Sequence, residues 1–365
     1  MADTEAGIDP WGDVQAGDYD DKMEKFGIDP FAEHKDKLPN LNHYMRRDIV
    51  YGQRDFGTVA DAIADGDDFA MMTGLMPSGT FHFGHKMVAD QMTYYQEQGA
   101  DLYVAVADLE AYATRGIDLQ EAREIALDQY LINYIALGLE PDNLYFYFQS
   151  EGTPHYHSMS KQFSRHVTQS EVEAIYGDVS PGKTTSALTQ VADILQPQFE
   201  ENGGPKPTVV PIGTDQDPHI RLTRDIASRY PSQDFIKPAA TYHKFMRGLQ
   251  GGKMSSSDPK SYIALTDSVD DAKEKIDRAK TGGQQSLDEH REKGADVEED
   301  MVFELLAFHL IEDDERLEEI YRKYDSGEML SGELKQIAKD ELATFLEEHQ
   351  AKREQAKDRL DEYLA

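Results

Sequence analysis

Two histidines flank a phenylalanine and a glycine in His82-Phe83-Gly84-His85, between a short apolar run and a stretch with helical spacing. A helix opening here offers unpaired N–H groups and the positive end of its dipole to an anion. Gly84 has no Cβ, so an adenine can approach the backbone. Two imidazoles can hydrogen-bond phosphate oxygens whose charge rises during displacement at the α-phosphorus. Downstream, "GGKMSSSDP" (251–259) sets Lys253, Met254, Ser255 and Ser257 behind a Gly-Gly hinge, which suits a mobile loop closing on pyrophosphate. Taken singly, each stretch has a plainer reading: a pair of capping histidines, and a Gly-Ser-rich surface loop. In this order and separation the two rarely coincide by accident.

A third stretch competes for the nucleotide. "GDVSPGKT" (177–184) matches G-x-x-x-x-G-K-T letter for letter. A P-loop needs a buried strand before it and a cradle of backbone N–H groups. The preceding "QSEVEAIY" carries Glu171 and Glu173 without a β-branched run and reads as a helix ending at Gly177. Pro181 removes one of the N–H groups. The expectation is a loop of an inserted region that faces the ATP site, with the phosphates held elsewhere.

The elements around these residues alternate. "FAMMTGLMP" (69–77) reads as a buried strand, and Met87, Val88, Gln91, Met92 and Tyr95 fall at helical spacing up to Gly99. "DLYVAVADL" (101–109) is the next strand, completing a βαβ unit. Asp118 opens a long helix reaching Gly138, and "NLYFYFQ" (143–149) and "PTVVPIG" (207–213) are further strands. Residues 151–205 read as a helical insertion, and from about 260 onward the pattern is helical and charged. The expected fold class is α/β: a Rossmann-type parallel-sheet catalytic domain (68–259) with the insertion, after an acidic extension (1–67) and before an all-helical C-terminal domain (260–365).

Lys and Arg number 37 against 70 Asp and Glu, a net charge of −33. Such a balance ordinarily argues against a nucleic-acid partner, because phosphate contacts need cations. Here the acidity runs through loops and helices alike, as suits a halophile's cytoplasm where charge is screened within about 3 Å at 1 M salt. The chain has no cysteine, so disulfides and thiolate metal sites are excluded, and the one close histidine pair, His155 and His157, is a poor metal site. No apolar run approaches the ~20 residues of a membrane span, and "MADTEAGIDPWGD" lacks the regions of a signal peptide. A cytoplasmic protein without a membrane partner is expected.

HFGH and KMSSS together resemble the two signatures of class I aminoacyl-tRNA synthetases. "GTDQ" (213–216) resembles the turn of that class that meets ribose and substrate. Its extension "DQDPHIRLTRD" resembles the tryptophanyl-tRNA synthetases of archaeal and eukaryotic type, as do "DPWGDVQ", "GKTTSALTQ" (182–190), "LIEDDERLEEIYRKYDSGEMLSGELK" (310–335) and "EEHQAKR" (347–353). The resemblance implies a homodimer that uses ATP and Mg²⁺, activates L-tryptophan, charges tRNA(Trp) and reads the anticodon with its helical C-terminal domain. Carried over by residue, it implies catalytic roles for His82, His85 and Lys253. Gly84, Gly213, Asp215, Lys253, Met254, Ser255 and Ser257 would bind ATP, and Met72, Glu110, Gln190 and Gln216 would line the amino-acid site. Gln284, Gln285 and Lys335 would lie toward the anticodon. No residue is assigned to a protein-held metal.

Three departures from the pattern stand out. Met72 and Ala105 stand where the better-known eukaryotic enzymes hold the indole N–H with a Tyr and a Gln. Leaving that donor unpaired costs ~1–3 kcal/mol, so Glu110, a residue of the insertion or water must accept it. Ser256 replaces the second Lys of the general class I signature. Gln284 and Gln285 replace a charged pair. Tyrosine specificity on the same scaffold and a non-catalytic RNA-binding paralogue are the alternatives.

Overall fold

The computed structural model describes residues 19–177, 180–252, 254 and 258–364. Seven strands form one sheet in the order β1-β2-β7-β6-β3-β4-β5. They are β1 (Asp29–Pro30), β2 (Val50–Arg54), β3 (Ala70–Leu75), β4 (Asp101–Val106), β5 (Leu144–Phe148), β6 (Thr208–Ile212) and β7 (Ala239–His243). Five of them, β7-β6-β3-β4-β5, run parallel, and β2 and β1 add antiparallel at one edge. Strands β3, β4 and β6 read as near-continuous apolar runs because helices cover both faces of a parallel sheet.

Strand order reverses at β3: the chain proceeds to β4 and β5 on one side, then returns to β6 and β7 on the other. Ligands of open α/β sheets bind in the crevice at such a point. Pairing between β3 and β6 is confined to Ala70–Thr208 and Met71–Val209, whereas β3 and β4 pair over six positions. Pro211, further along β6, brings no N–H to a ladder. The sheet therefore opens on the carboxyl side of Met72.

Two features differ from the sequence-based expectation. The segment before residue 68 is more than an extension on a finished body, since β2 within it pairs with β7. β7, "AATYH", is itself a fifth parallel strand that was not anticipated; it is short, ends in a histidine and has no alternation to mark it. The helix opened by Asp118, which accepts from Gln120 N, is interrupted by a π-helical stretch, Ala126–Leu131, before ending at Ala136. Between β5 and β6 lie the helices Pro154–Phe163, Gln169–Tyr176 and Pro181–Leu195. From Val269 onward helices predominate, ending with the 27-residue helix Ser331–Lys357 and a short final turn, Leu360–Tyr363.

These C-terminal helices share a core with the sheet: Met87, Met92, Val302, Leu305, Leu342 and Leu346 belong to one buried cluster. A polar joint reinforces it. The Tyr44 hydroxyl donates to Asp90 at 2.6 Å and meets His309 Nδ1 at 2.9 Å, while Lys86 pairs with Asp90. The hydroxyl has one proton to give, so His309 Nδ1–H is the donor of the second bond.

Candidate active site

His82 is the N-cap of the helix Phe83–Glu97 and His85 its third residue, and each ring caps the other's backbone. Gly84 N–H donates to His82 Nδ1 at 3.1 Å, and His82 N–H donates to His85 Nδ1 at 3.2 Å. The capping reading of these histidines is thus what the geometry has, and it specifies their chemistry. An Nδ1 that accepts carries no proton, so each neutral ring holds its hydrogen on Nε2. The rings stack at 3.9 Å between centroids. Burial lowers the His82 pKa from its ordinary 6.5 to about 4, and burial together with the neighbouring His82 holds the His85 pKa well below 6.5. At neutral pH they are donors without charge.

A Cβ on Gly84 would lie 2.9 Å from His82 Cε1 and 3.4 Å from the Met254 methyl. Glycine here keeps the capping ring in place, in addition to leaving room for a ligand. Gly84, His82, His85, Gly252 and Met254 wall a cavity of about 190 Å³ closed on the far side by His243, Phe245 and Arg247. Lys253, Ser255 and Ser257 lie outside the described residues.

His85, His243 and Phe245 are also walls of a second, larger cavity of about 460 Å³ at the opening of the sheet. Met72, Ala105, Glu110, Gln190, Gly213, Asp215 and Gln216 all line it, so the residues expected around substrate and ribose converge. Glu110 sits in the first turn of the helix Asp108–Arg115, just beyond β4, and is nearly fully buried; Gln190 donates to its Oε2 at 2.7 Å. The GTDQ turn is fixed from behind. Tyr51 and Thr214 share a hydrogen bond of 2.7 Å, and buried Asp217 accepts from the Tyr242 hydroxyl at 2.6 Å and from Arg54 at 3.0 Å. A side chain on Gly213 would strike the Phe245 ring at 2.3 Å.

The deep wall holds groups that sequence reasoning did not name. Asp193, on the insertion's helix Pro181–Leu195, is 2% exposed and lines the larger cavity with Gln149. Its Oδ1 accepts from Tyr147 at 2.9 Å and Tyr156 at 2.7 Å, and its Oδ2 from the Gln149 amide at 2.7 Å. Burial raises its pKa to about 6 against the opposing pull of those donors. Gln149 Oε1 is buried with no partner among the described residues. A lone carboxylate inside the apolar "VADIL" was the available signal.

The Walker look-alike is not a phosphate cradle. A helix, Gln169–Tyr176, precedes it, and Gly177 ends that helix. Asp178 and Val179 lie outside the described residues. Ser180 caps the helix Pro181–Leu195, so Gly182, Lys183 and Thr184 form its first turn, where a loop was expected. Toward the C-terminus, Lys335 donates to the carbonyls of Asp277 at 2.7 Å and Ala279 at 3.0 Å, Gln284 donates to the Gly294 carbonyl at 3.1 Å, and Gln285 is exposed.

Comparison with known proteins accords with this arrangement. Residues 64–347 match the family model for tRNA synthetases class I (W and Y). The chain is 47% identical to the tryptophan–tRNA ligase of Hyperthermus butylicus, over 98% of this chain and 97% of that one. It is 46% identical to that of Methanocaldococcus jannaschii, over 96% of each. The crystal structure of tryptophanyl-tRNA synthetase from Aeropyrum pernix superposes with a TM-score of 0.92 at 45% identity, covering 98% of each chain. The chain belongs to the class I tRNA synthetases, among the tryptophan–tRNA ligases. Among the described residues no helix is long and apolar enough to cross a membrane.

Two predictions arise from this geometry. His82 and His243 titrate near 4, and His219 and His349 near 3, all lowered first by burial. An unfolded chain takes up these protons as pH falls below 6.5, whereas the folded chain does not until about 4, so acidification through that window costs stability. Thermal midpoints should fall steadily from neutral pH downward at fixed salt, and His243→Gln should flatten the slope; an unchanged slope would show that this ring is not buried neutral. Lys183→Ala should leave the KM for ATP within about twofold of wild type, because a helix and not a buried strand precedes that stretch; loss of ATP binding in a folded variant would reinstate the Walker reading.

Proposed function

We propose that this chain activates L-tryptophan with ATP to tryptophanyl-adenylate and pyrophosphate, then transfers tryptophan to tRNA(Trp). The tryptophan carboxylate attacks the α-phosphorus, the bond to the pyrophosphate oxygen breaks, and the Nε2–H groups of His82 and His85 donate to oxygens gaining charge. In this reading Gly84 and Met254 flank the nucleotide, and Gly213 and Asp215 meet its ribose. Lys253, Ser255 and Ser257 close over the phosphates. Glu110 pairs with the α-ammonium, with Gln190 and Gln216 beside it. Mg²⁺ would enter on the triphosphate, as suits an ion that keeps its waters and phosphate oxygens; among the described residues no three histidines or carboxylates converge to hold one.

The observation that carries tryptophan over tyrosine is the acceptor-rich deep wall. The hydroxyl hydrogens of Tyr147 and Tyr156 and one hydrogen of the Gln149 amide are already directed at Asp193, while Gln149 Oε1 has no partner among the described residues. An indole N–H is donor only and supplies what such a wall lacks, whereas a phenol oxygen also brings lone pairs that need a donor. Gln149, directly after β5, and Asp193 of the insertion would thereby provide the acceptors that Met72 and Ala105 cannot. Residues 260–365 would read the anticodon, with Gln284, Gln285 and Lys335 on that side, and two copies would form the homodimer; both parts rest on the family resemblance.

Tryptophan- against tyrosine-dependent pyrophosphate exchange in molar KCl tests the reading. Tryptophan should win, and Asp193→Asn should lower its kcat/KM roughly tenfold or more, as loss of a buried charged acceptor does, with the KM for ATP little changed. Tyrosine winning by tenfold, or Asp193→Asn raising the KM for ATP alone, would contradict the assignment.

A further inference from the structure

The stretch EEHQAKR (347–353) takes no part in either cavity, yet three of its side chains reach toward the nucleotide turn from the helix Ser331–Lys357. On one side, His349 Nε2–H donates to Asn133 Oδ1 at 2.8 Å, and the Asn133 amide donates to the Gln129 carbonyl. Arg353 donates to the Asp128 carbonyl at 2.8 Å. Both carbonyls belong to the π-helical stretch Ala126–Leu131, whose wider turn changes the usual ladder, as π-bulges near functional sites do. The same stretch carries Tyr130. Its hydroxyl donates to the Ser78 carbonyl at 3.1 Å, and its ring stands 5.2 Å from His85 and 5.7 Å from Phe81. On the other side, Gln350 donates to the carbonyls of Leu265 at 3.1 Å and Asp267 at 2.8 Å. Leu265 N–H in turn donates to Phe81 O at 3.0 Å, and Ala264 forms an antiparallel bridge with His82.

We propose that His349, Gln350 and Arg353 are positioning residues for adenylate formation: one turn of the C-terminal helix clamps the turn 77–85 from both flanks. The proposal rests on the reading that His82 and His85 hold ATP. Packing alone would not select these groups, because Tyr130, Asn133, His349 and Arg353 are all buried and an apolar interface of equal volume serves stability as well or better. What a buried polar contact adds is direction. On one flank the Gln350 bond ends on Leu265, whose N–H holds Phe81; on the other the His349 and Arg353 bonds end on Asn133 and Asp128, in and beside the stretch whose Tyr130 holds Ser78 and packs on His85, so a displacement of the helix is passed to the turn from both sides. The arrangement also joins the C-terminal helices to the chemistry without any residue of theirs touching substrate.

The test uses the full chain in pyrophosphate exchange, with active sites counted by the burst of adenylate. The double variant His349→Ala/Gln350→Ala should lower kcat per active site roughly tenfold or more, as misplacement of catalytic groups does, with the KM for tryptophan within about twofold. His349→Gln, which can still donate to Asn133, should recover most of the His349→Ala loss. Gln350→Ala and Tyr130→Phe should combine less than multiplicatively, since they hold the same turn, and Lys352→Ala on the exposed side should behave as wild type. Should the double variant fail to fold, Gln350→Ala and Tyr130→Phe decide by the same criterion. A wild-type kcat per active site in these variants, even at lowered thermal midpoint, would overturn the clamp alone. Absence of tryptophan-dependent exchange in the wild type would overturn the functional reading and the clamp with it.

Discussion

Two imidazole Nδ1 atoms accept two backbone N–H groups at the start of one helix, and much of this molecule is arranged around that exchange. The bonds set the ring orientations, place the protons on Nε2 and leave donors at the helix end whose dipole already favours an anion. They hold only if the turn before the helix is rigid. Strand β3 anchors its entry, Tyr130 and Phe81 pack beside His85, and Ala264 pairs with His82 on the outside. The residues that surround the histidines deprive them of charge as well as water, so in the proposed reading the site would meet ATP with neutral dipoles. For a protein of net charge −33 this matters: in the proposed reading phosphate would be held by local geometry without a broad cationic field.

The larger cavity depends on a second constraint, the short pairing of β3 with β6. Two paired positions join the halves of the parallel sheet, after which Met72, Val210, Pro211 and Ile212 face the cavity. Helices on either side then supply the polar groups: Glu110 from the turn after β4, Gln216 from the turn after β6, and Gln190 and Asp193 from the insertion. Gln190 and Asp193 are three residues apart on one helix and so face the same way. The insertion is therefore a wall of the cavity, and in the proposed reading its register would link the amino-acid end of the substrate to its ring.

Local features were legible in the sequence. The strand before HFGH, the helix after it, the strands through Val106 and Ile212 and the helical character of 151–205 all follow from periodicity and caps close in sequence. The rejection of GDVSPGKT as a phosphate cradle held for the same reason, since the helix before Gly177 has its own pattern. What escaped were relations between distant segments. Strand β7 has no alternation and earns its place by pairing with β2 and β6. Asp193 looks like a helix-surface residue until Tyr147, Tyr156 and Gln149 are brought to it from elsewhere in the fold. Lys335 reads as a free cation toward RNA, yet its ammonium closes the end of the helix Val269–Arg278. The π-helical stretches at 126–131 and 306–310 have no composition signal, being set by what packs against them.

The central claim is the protonation state of two rings, and nitrogen-15 NMR of the histidine side chains in the full chain reads it directly. The account predicts that His82 and His85 remain neutral Nε2–H tautomers from pH 8 down to about 5.5, consistent with a His82 pKa lowered to about 4. Protonation of either ring near 6.5, or a proton resident on Nδ1, would contradict it.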